Sequence, residues 1–156
     1  TPSASNLQPL KYALVVDEAV RDKVFSCLTW AGYLPNWPGP EEKERPTAYI
    51  LICSDPKISG EPSIDVGLVA QTMLLGAQQQ GFGGCLLGSV QRPKIQTLLN
   101  LPENLKIHLV LALGTPAEKV ELTALPNNGD IRYWRDTNQV HYVPKRSLEE
   151  LITTRF

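Results

Sequence analysis

The chain has 156 residues, 42% hydrophobic and 20% charged, a length and balance that fit one globular domain with a sizeable core. Fifteen Lys and Arg against sixteen Asp and Glu leave a net charge of -1, which excludes a strongly basic nucleic-acid surface and a long acidic tail. Cys27, Cys53 and Cys85 are odd in number, widely spaced and form no C-x-x-C pair, so a disulfide scaffold and a zinc ribbon are excluded and a reducing cytoplasm is the expected compartment.

In chain order, Thr1–Gln8 has neither a basic start nor an apolar stretch, so no signal peptide is expected there. Pro2 to Pro9 read as a polar loop, followed by a strand at Tyr12–Val16. From Asp17 the apolar positions Val20, Val24, Cys27, Leu28 and Ala31 make one helical stripe, with Gly32 as its expected stop. Prolines and Gly39 make Leu34–Pro46 a loop with a charge cluster at Glu41–Arg45, and Ala48–Cys53 is the next strand. A second helix starts at Ser63 or Asp65, either of which is a capping residue, and runs to Gln80 with Gly81 as its stop. Its apolar residues spread around most of the circumference, so it is expected to be buried nearly all round, against the sheet and either a second subunit or the rest of a monomer.

The uncharged run Val66–Gln91 contains five glutamines and six glycines and falls short of the ~18 consecutive apolar residues of a membrane span. After Gly81 comes an extended apolar run, Cys85–Val90, then a short helix after Arg92 with Pro93 in its first turn. Ile107–Leu113 is a third strand, Asn127–Asp130 a turn, and Ser147–Thr153 a last helix opening on a capping box of Ser147 and Glu150. The three strands are apolar on both faces, as in sheets covered from both sides.

Covalent and metal chemistry find poor support. There is no G-x-S-x-G, no His/Cys/Asp cluster at a ligand spacing, and His108 sits inside the most apolar strand, where a hydrogen-bonded core or edge histidine is the default. Cys85 reads as a small packed cysteine, with a reactive thiol as the lesser option. Three other features stand out. The loop Pro2 to Pro9 carries hydroxyls and two amides, suited to the polar edge of a heterocycle. Gly81, Gly83, Gly84 and Gly88 fall within eight residues and follow a helix, unlike a dinucleotide fingerprint, so they suggest close backbone approach to something flat. Lys145 and Arg146 precede a helix start, a pattern for phosphate. Amides for a ring edge, bare peptide for a ring face and cations for a phosphate are together what flavin mononucleotide (FMN) needs.

These residues resemble the nitroreductase family of FMN-dependent oxidoreductases. Pro2-Ser3-Ala4-Ser5-Asn6-Leu7-Gln8-Pro9, with Leu10-Lys11-Tyr12, is similar to that family's P-S-x-x-N-x-Q-P-[WL]-x-[FY] motif. The segment from Asp65 to Ala77 resembles its central D-x-G-x-x-x-Q-N-x-x-L-x-A helix, with Thr72 where Asn is usual. Gly81 to Cys85 resembles its glycine turn, and Pro144 to Leu151 its basic C-terminal signature.

The resemblance implies an α+β nitroreductase-like fold, a mixed and mainly antiparallel sheet flanked by helices in an intertwined homodimer, with residues 1–156 as one FMN-binding domain. It implies that Pro2, Ser3, Ala4 and Asn6 approach the flavin, with Gln8 supporting their loop. Leu86, Leu87 and Gly88 would present backbone near N5, and Lys145 and Arg146 would hold the phosphate. It implies hydride transfer from NAD(P)H to flavin N5 and on to a nitroaromatic, quinone or similar electron-poor acceptor, in ping-pong order. No catalytic side chain is required, and Leu34–Pro46 with Trp37 is either a lid over substrate or an ordinary surface loop. Family members usually begin with an Arg-rich segment ahead of the P-S-x-x-N loop. This chain is therefore expected to be N-terminally incomplete or to lack that phosphate clamp, which leaves a flavin carrier or a degenerate, non-catalytic member as the alternative.

Overall fold

The computed structural model describes residues Thr1–Phe156. Its most buried segment is the one richest in aliphatic residues: Tyr49, Leu51, Ile52, Val110 and Leu111 are each less than 2% exposed. They lie on two neighbouring strands, β2 (Ala48–Ser54) and β4 (Lys106–Gly114), which pair antiparallel from Ala48 against Leu113 to Ser54 against Lys106. β1 (Leu10–Val15) pairs with β2 and β3 (Gly83–Leu87) with β4, giving an antiparallel sheet in the order β1-β2-β4-β3. Burying one such side chain is worth about 1.5–3 kcal/mol, so the central pair carries most of the sheet's stability.

Strands covered on both faces hold for β2 and β4 but not for β1, where Tyr12 is 46% and Leu14 71% exposed. As the sheet's edge, β1 has one face in the core through Val15 and the other open. The three expected strands start and end within two residues of expectation, because turns punctuate their apolar runs, whereas the extended run expected at Cys85–Val90 is β3, ending three residues earlier.

Helix α1 (Glu18–Phe25) begins on Asp17, whose carboxylate accepts the Val20 amide at 3.0 Å. It stops well short of Gly32. Ser26 donates its hydroxyl to the Lys23 carbonyl at 2.8 Å, and Leu28 leaves the helix to form a bridge with Val90. The apolar stripe still reaches the core, with Cys27 and Leu28 buried, but from a turn in which the Cys27 amide bonds the Val24 carbonyl at 2.9 Å and the Leu28 amide the Phe25 carbonyl at 3.1 Å.

Helix α2 (Ser63–Gln79) packs against β3 and β4 and buries Val66, Val69 and Ala70 against Ile52. It is not buried all round: Ile64, Leu68 and Leu75 are 72, 42 and 55% exposed. Neither Ser63 nor Asp65 caps it, since Pro62 holds that position with no side-chain bond. Its end is as expected. Gly81 has φ +81°, the Phe82 amide bonds the Ala77 carbonyl and the Gly81 amide the Gln78 carbonyl, both at 3.0 Å, closing the helix with a left-handed residue. Helix α3 (Arg92–Leu98) carries Pro93 in its first turn and buries Ile95.

By internal contacts the chain forms two compact units. Thr1–Trp30 with Gly39–Pro116 holds the sheet and α1 to α3, and Ala31–Pro38 with Ala117–Phe156 forms the other. In the second unit β5 (Val120–Ala124) runs parallel to β7 (His141–Lys145), and β6 (Trp134–Arg135) pairs antiparallel with β7. Helix α4 (Leu148–Leu151) is one turn, shorter than the expected Ser147–Thr153. Ser147 caps it by accepting the Glu150 amide at 3.2 Å, but the capping box is incomplete because the Glu150 carboxylate turns to Arg146 instead. No helix is long and apolar enough to cross a membrane.

Candidate functional site

The polar loop ahead of β1 has a backbone that ordinary residues resist. Ser5, Asn6 and Gln8 have φ of 50, 56 and 53°, three left-handed non-glycine residues within four. Each such residue costs on the order of 1 kcal/mol or more and persists only where the surroundings hold it. The surroundings do so here through Asp65. Its carboxylate accepts the Ser3 hydroxyl at 2.5 Å and the Ala4 amide at 2.9 Å. The Ser3 oxygen accepts the Gln8 amide at 2.9 Å, and the Gln8 side-chain amide donates to the Asn6 carbonyl at 3.0 Å and to Asn6 Oδ1 at 3.1 Å. Asp65 is 3% exposed, and the Ser3 hydroxyl followed by the Ala4 amide holds its carboxyl below the usual carboxylate range. Pro2, Ala4 and Asn6 are left on the surface.

The sequence offered Asp65 as a helix cap, and its true partner lies more than sixty residues away. An aspartate in the first turn of an apolar helix with no side-chain cap bond of its own is the only local signal for that role.

Of the four close-spaced glycines, three answer to the protein's own packing. Gly81 ends α2. A Cβ on Gly84 would meet the Ala112 carbonyl oxygen at 2.3 Å, and one on Gly83 would meet the Pro116 ring at 2.8 Å. Crowding by β4 and the chain beyond it, not a flat ligand, accounts for them. Gly88 has neither a positive φ nor a crowded neighbour: an added Cβ would meet only Leu109 Cδ2, at 3.9 Å. Leu87 is buried, whereas Leu86 and Gly88 are exposed.

Gly88 and the N-terminal loop lie at one end of the same sheet. Leu10 opens β1 opposite Ser54, Ser54 closes β2 opposite Lys106, and Leu87 closes β3 opposite Val110. Asp65, in the first turn of α2, ties to the loop at that end.

There the β2–β4 ladder slips. Ile52 faces Leu109 and Cys53 faces Ile107, so His108 is the extra residue of a bulge. Its Nε2 lies 2.8 Å from the hydroxyl of Ser54, itself 1% exposed. Burial, then Lys106 and Arg92, hold the imidazole below its ordinary pKa of 6.5. This is the hydrogen-bonded sheet histidine the sequence suggests.

Lys145 and Arg146 belong to the second unit, where Lys145 ends β7 with an exposed side chain. Arg146 Nη1 donates to Glu150 Oε1 at 2.6 Å. The single turn of α4 has too few aligned peptides to strengthen an anion site by its dipole, so these cations act as side chains alone. Also in this unit, the Arg135 guanidinium stacks on Trp37 at 4.2 Å and donates to Glu118 at 2.7 Å. The Cys53 thiol is buried and pushed up to about 11, which makes it inert, while Cys85 lies on exposed β3.

Known proteins resemble this chain in sequence and in fold. A protein of Archaeoglobus fulgidus named as an NADH dehydrogenase/NAD(P)H nitroreductase is 31% identical over 126 residues, 76% of this chain and 67% of its own length. An NADPH-flavin oxidoreductase of Vibrio harveyi is 31% identical over 107 residues, 58% of this chain and 45% of that protein, so the chain spans less than half of this relative. Among solved structures, an FMN-dependent nitroreductase of Clostridium difficile superposes with a TM-score of 0.61 at 20% identity, covering 76% of this chain and 69% of that one. The NADPH:FMN oxidoreductase of Vibrio harveyi complexed with NAD+ gives 0.59 at 21% identity, covering 96% and 66%. At these identities the structures establish the fold, which is the α+β nitroreductase fold. The nitroreductase family model itself matches residues 1–115, the stretch that holds the Asp65-anchored loop, α2 and the whole four-stranded sheet, and the chain belongs to that family.

Proposed function

We propose that residues 1–156 form one FMN-binding oxidoreductase domain that works as a homodimer in a reducing cytoplasm. The observation that carries this reading is the loop of Pro2, Ser3, Ala4 and Asn6, which Asp65 anchors at Ser3 and Ala4, Gln8 braces, and whose Ser5, Asn6 and Gln8 are left-handed. A protein that maintains so costly a backbone at an exposed polar loop is using it for a ligand.

The donor set fits FMN. Backbone and amide groups of Pro2, Ser3, Ala4 and Asn6 would meet the polar edge of the ring, as paired donors and acceptors suit its carbonyls and imide. The peptides of Leu86, Leu87 and Gly88 would lie beside the ring, because Gly88 has no side chain to stand between. Lys145 and Arg146 would hold the phosphate, with Arg146 exchanging its exposed Glu150 partner, a pair worth only about 0.3–0.5 kcal/mol. When bound, FMN supplies two-electron transfer between NAD(P)H and an electron-poor acceptor such as a nitroaromatic or quinone. The chain's residues bind and orient the cofactor, and no side chain has to act as acid or base. The exposed stripe of Ile64, Leu68 and Leu75 on α2 is the surface a second subunit would cover.

Purified protein reconstituted with FMN should be yellow, and its flavin absorbance should bleach on adding NADH or NADPH. The second reading is a flavin carrier without turnover. Bound FMN that NAD(P)H does not bleach would select it, and protein that takes up no FMN would refute both.

A further inference from the structure

We propose that Arg92 is a positioning residue, setting the pose of the Gly88 peptide at the cofactor site; this rests on the FMN reading above. Arg92 lies at the start of α3, four residues after Gly88, and its guanidinium makes three bonds to main-chain oxygens. Nε donates to the Ile107 carbonyl at 2.9 Å, and Nη2 donates to Gly88 at 3.0 Å and His108 at 2.9 Å. No carboxylate pairs with it at salt-bridge distance, unlike Arg45, Arg132, Arg135, Arg146 and Arg155.

The carbonyls it holds lie where the sheet is irregular. Ile107 and His108 form the bulge where the β2–β4 ladder slips by one residue, and Gly88 follows the last paired residue of β3. One planar fork therefore ties the end of β3 to the bulge of β4, and a rigid guanidinium does this with fewer frozen torsions per bond than an ammonium. The other side of the segment is held by backbone. The Thr29 amide donates to Ser89 at 3.0 Å and the Gln91 amide to Cys27 at 2.9 Å. Gly88 itself has no side chain to lock it, and the one side chain that fixes its peptide is Arg92.

A peptide this constrained presents a fixed dipole to whatever lies beside it, so its pose alters how the oxidised and reduced forms of a bound flavin compare in affinity. The test uses reconstituted wild-type protein with Arg92→Lys and Arg92→Gln, measuring FMN affinity, the visible flavin spectrum and the midpoint potential. Both variants should change the ratio of oxidised to reduced FMN affinities by about tenfold, a potential shift of about 30 mV for a two-electron couple, and shift the visible band. Lysine, which keeps the charge but loses the fork, should not restore the wild-type potential. If Arg92→Lys and Arg92→Gln fold, bind FMN and keep the wild-type potential and spectrum, the proposal fails while the FMN reading stands. A potential restored by lysine would also overturn it, since charge alone would then account for the effect. Wild-type protein that binds no FMN would refute the underlying reading, and the positioning role with it.

Discussion

The N-terminal loop and the glycine-rich approach to β3 both look specialised in sequence, but the structure gives them different reasons. In the loop, polar residues adopt a costly left-handed backbone that a distant aspartate holds in place. In the glycine run, Gly81 ends a helix in a left-handed conformation, Gly83 and Gly84 have no room for a side chain, and Gly88 has neither reason. Strain that side chains work to maintain points outward to a ligand. Missing side chains point first to the protein's own packing.

Substitutions can break this comparison. The largest effect is expected at Gly84. A methyl there meets the Ala112 carbonyl oxygen at 2.3 Å, and Gly84→Ala should cost about 3 kcal/mol through overpacking, read as a lower unfolding midpoint in denaturant. A stable Gly84→Ala variant would mean that the glycines serve the ligand after all.

The loop should respond in the opposite way. Asp65→Asn keeps the shape but weakens the charge-assisted bonds to Ser3 and Ala4, and FMN affinity should fall about tenfold or more, with a smaller change in thermal stability. Titration by quenching of flavin fluorescence reads the first, and a melting curve the second. Because the Asp65 carboxyl is held low, its anchoring is complete above the unfolded carboxylate pKa of about 4 and is lost only as pH falls through the lower folded value.

A moderate effect is expected at the phosphate cations. Arg146→Ala should weaken FMN binding by roughly threefold to tenfold in a salt-dependent way, while the melting temperature barely moves, since its ion pair with Glu150 is exposed. The smallest effect concerns His108. Its folded pKa is depressed, so the unfolded chain binds the proton more readily. Stability should be full above pH 6.5 and decline as pH falls below it. Melting curves at about pH 7.5 and 5.5 should show the decline in wild type and a shallower one in His108→Gln.

The sheet and α2 were legible because apolar runs bounded by turn residues need no distant partner to be recognised. Gly81 was legible for the same reason. Helix α1 was overextended because Cys27 and Leu28 keep the helical spacing while lying in a turn that ends in the Leu28–Val90 bridge, a choice made by the Val90 segment and invisible locally. The four-glycine reading failed on a similar point, since the Ala112 carbonyl and the Pro116 ring that explain Gly84 and Gly83 arrive from β4 and the residues just after it, far along the chain. At the candidate site the loop residues were evident from their types, whereas Asp65 and Arg92 were not. Both work by bonding main-chain groups that only the folded sheet brings near. Leu86, Leu87 and Gly88 were named from the family pattern alone, and their part in the proposed site is for the experiments below to test.

The central claim is that the Asp65-anchored loop and the Gly88 peptide form opposing parts of one FMN site. Amide NMR spectra of the protein titrated with FMN test it most directly. Shifts concentrated at Ala4, Asn6, Leu87 and Gly88, with Lys145 and Arg146 following for the phosphate, are the expected result. A saturable titration that leaves the loop and Gly88 amides in place, or moves only residues elsewhere, would contradict it.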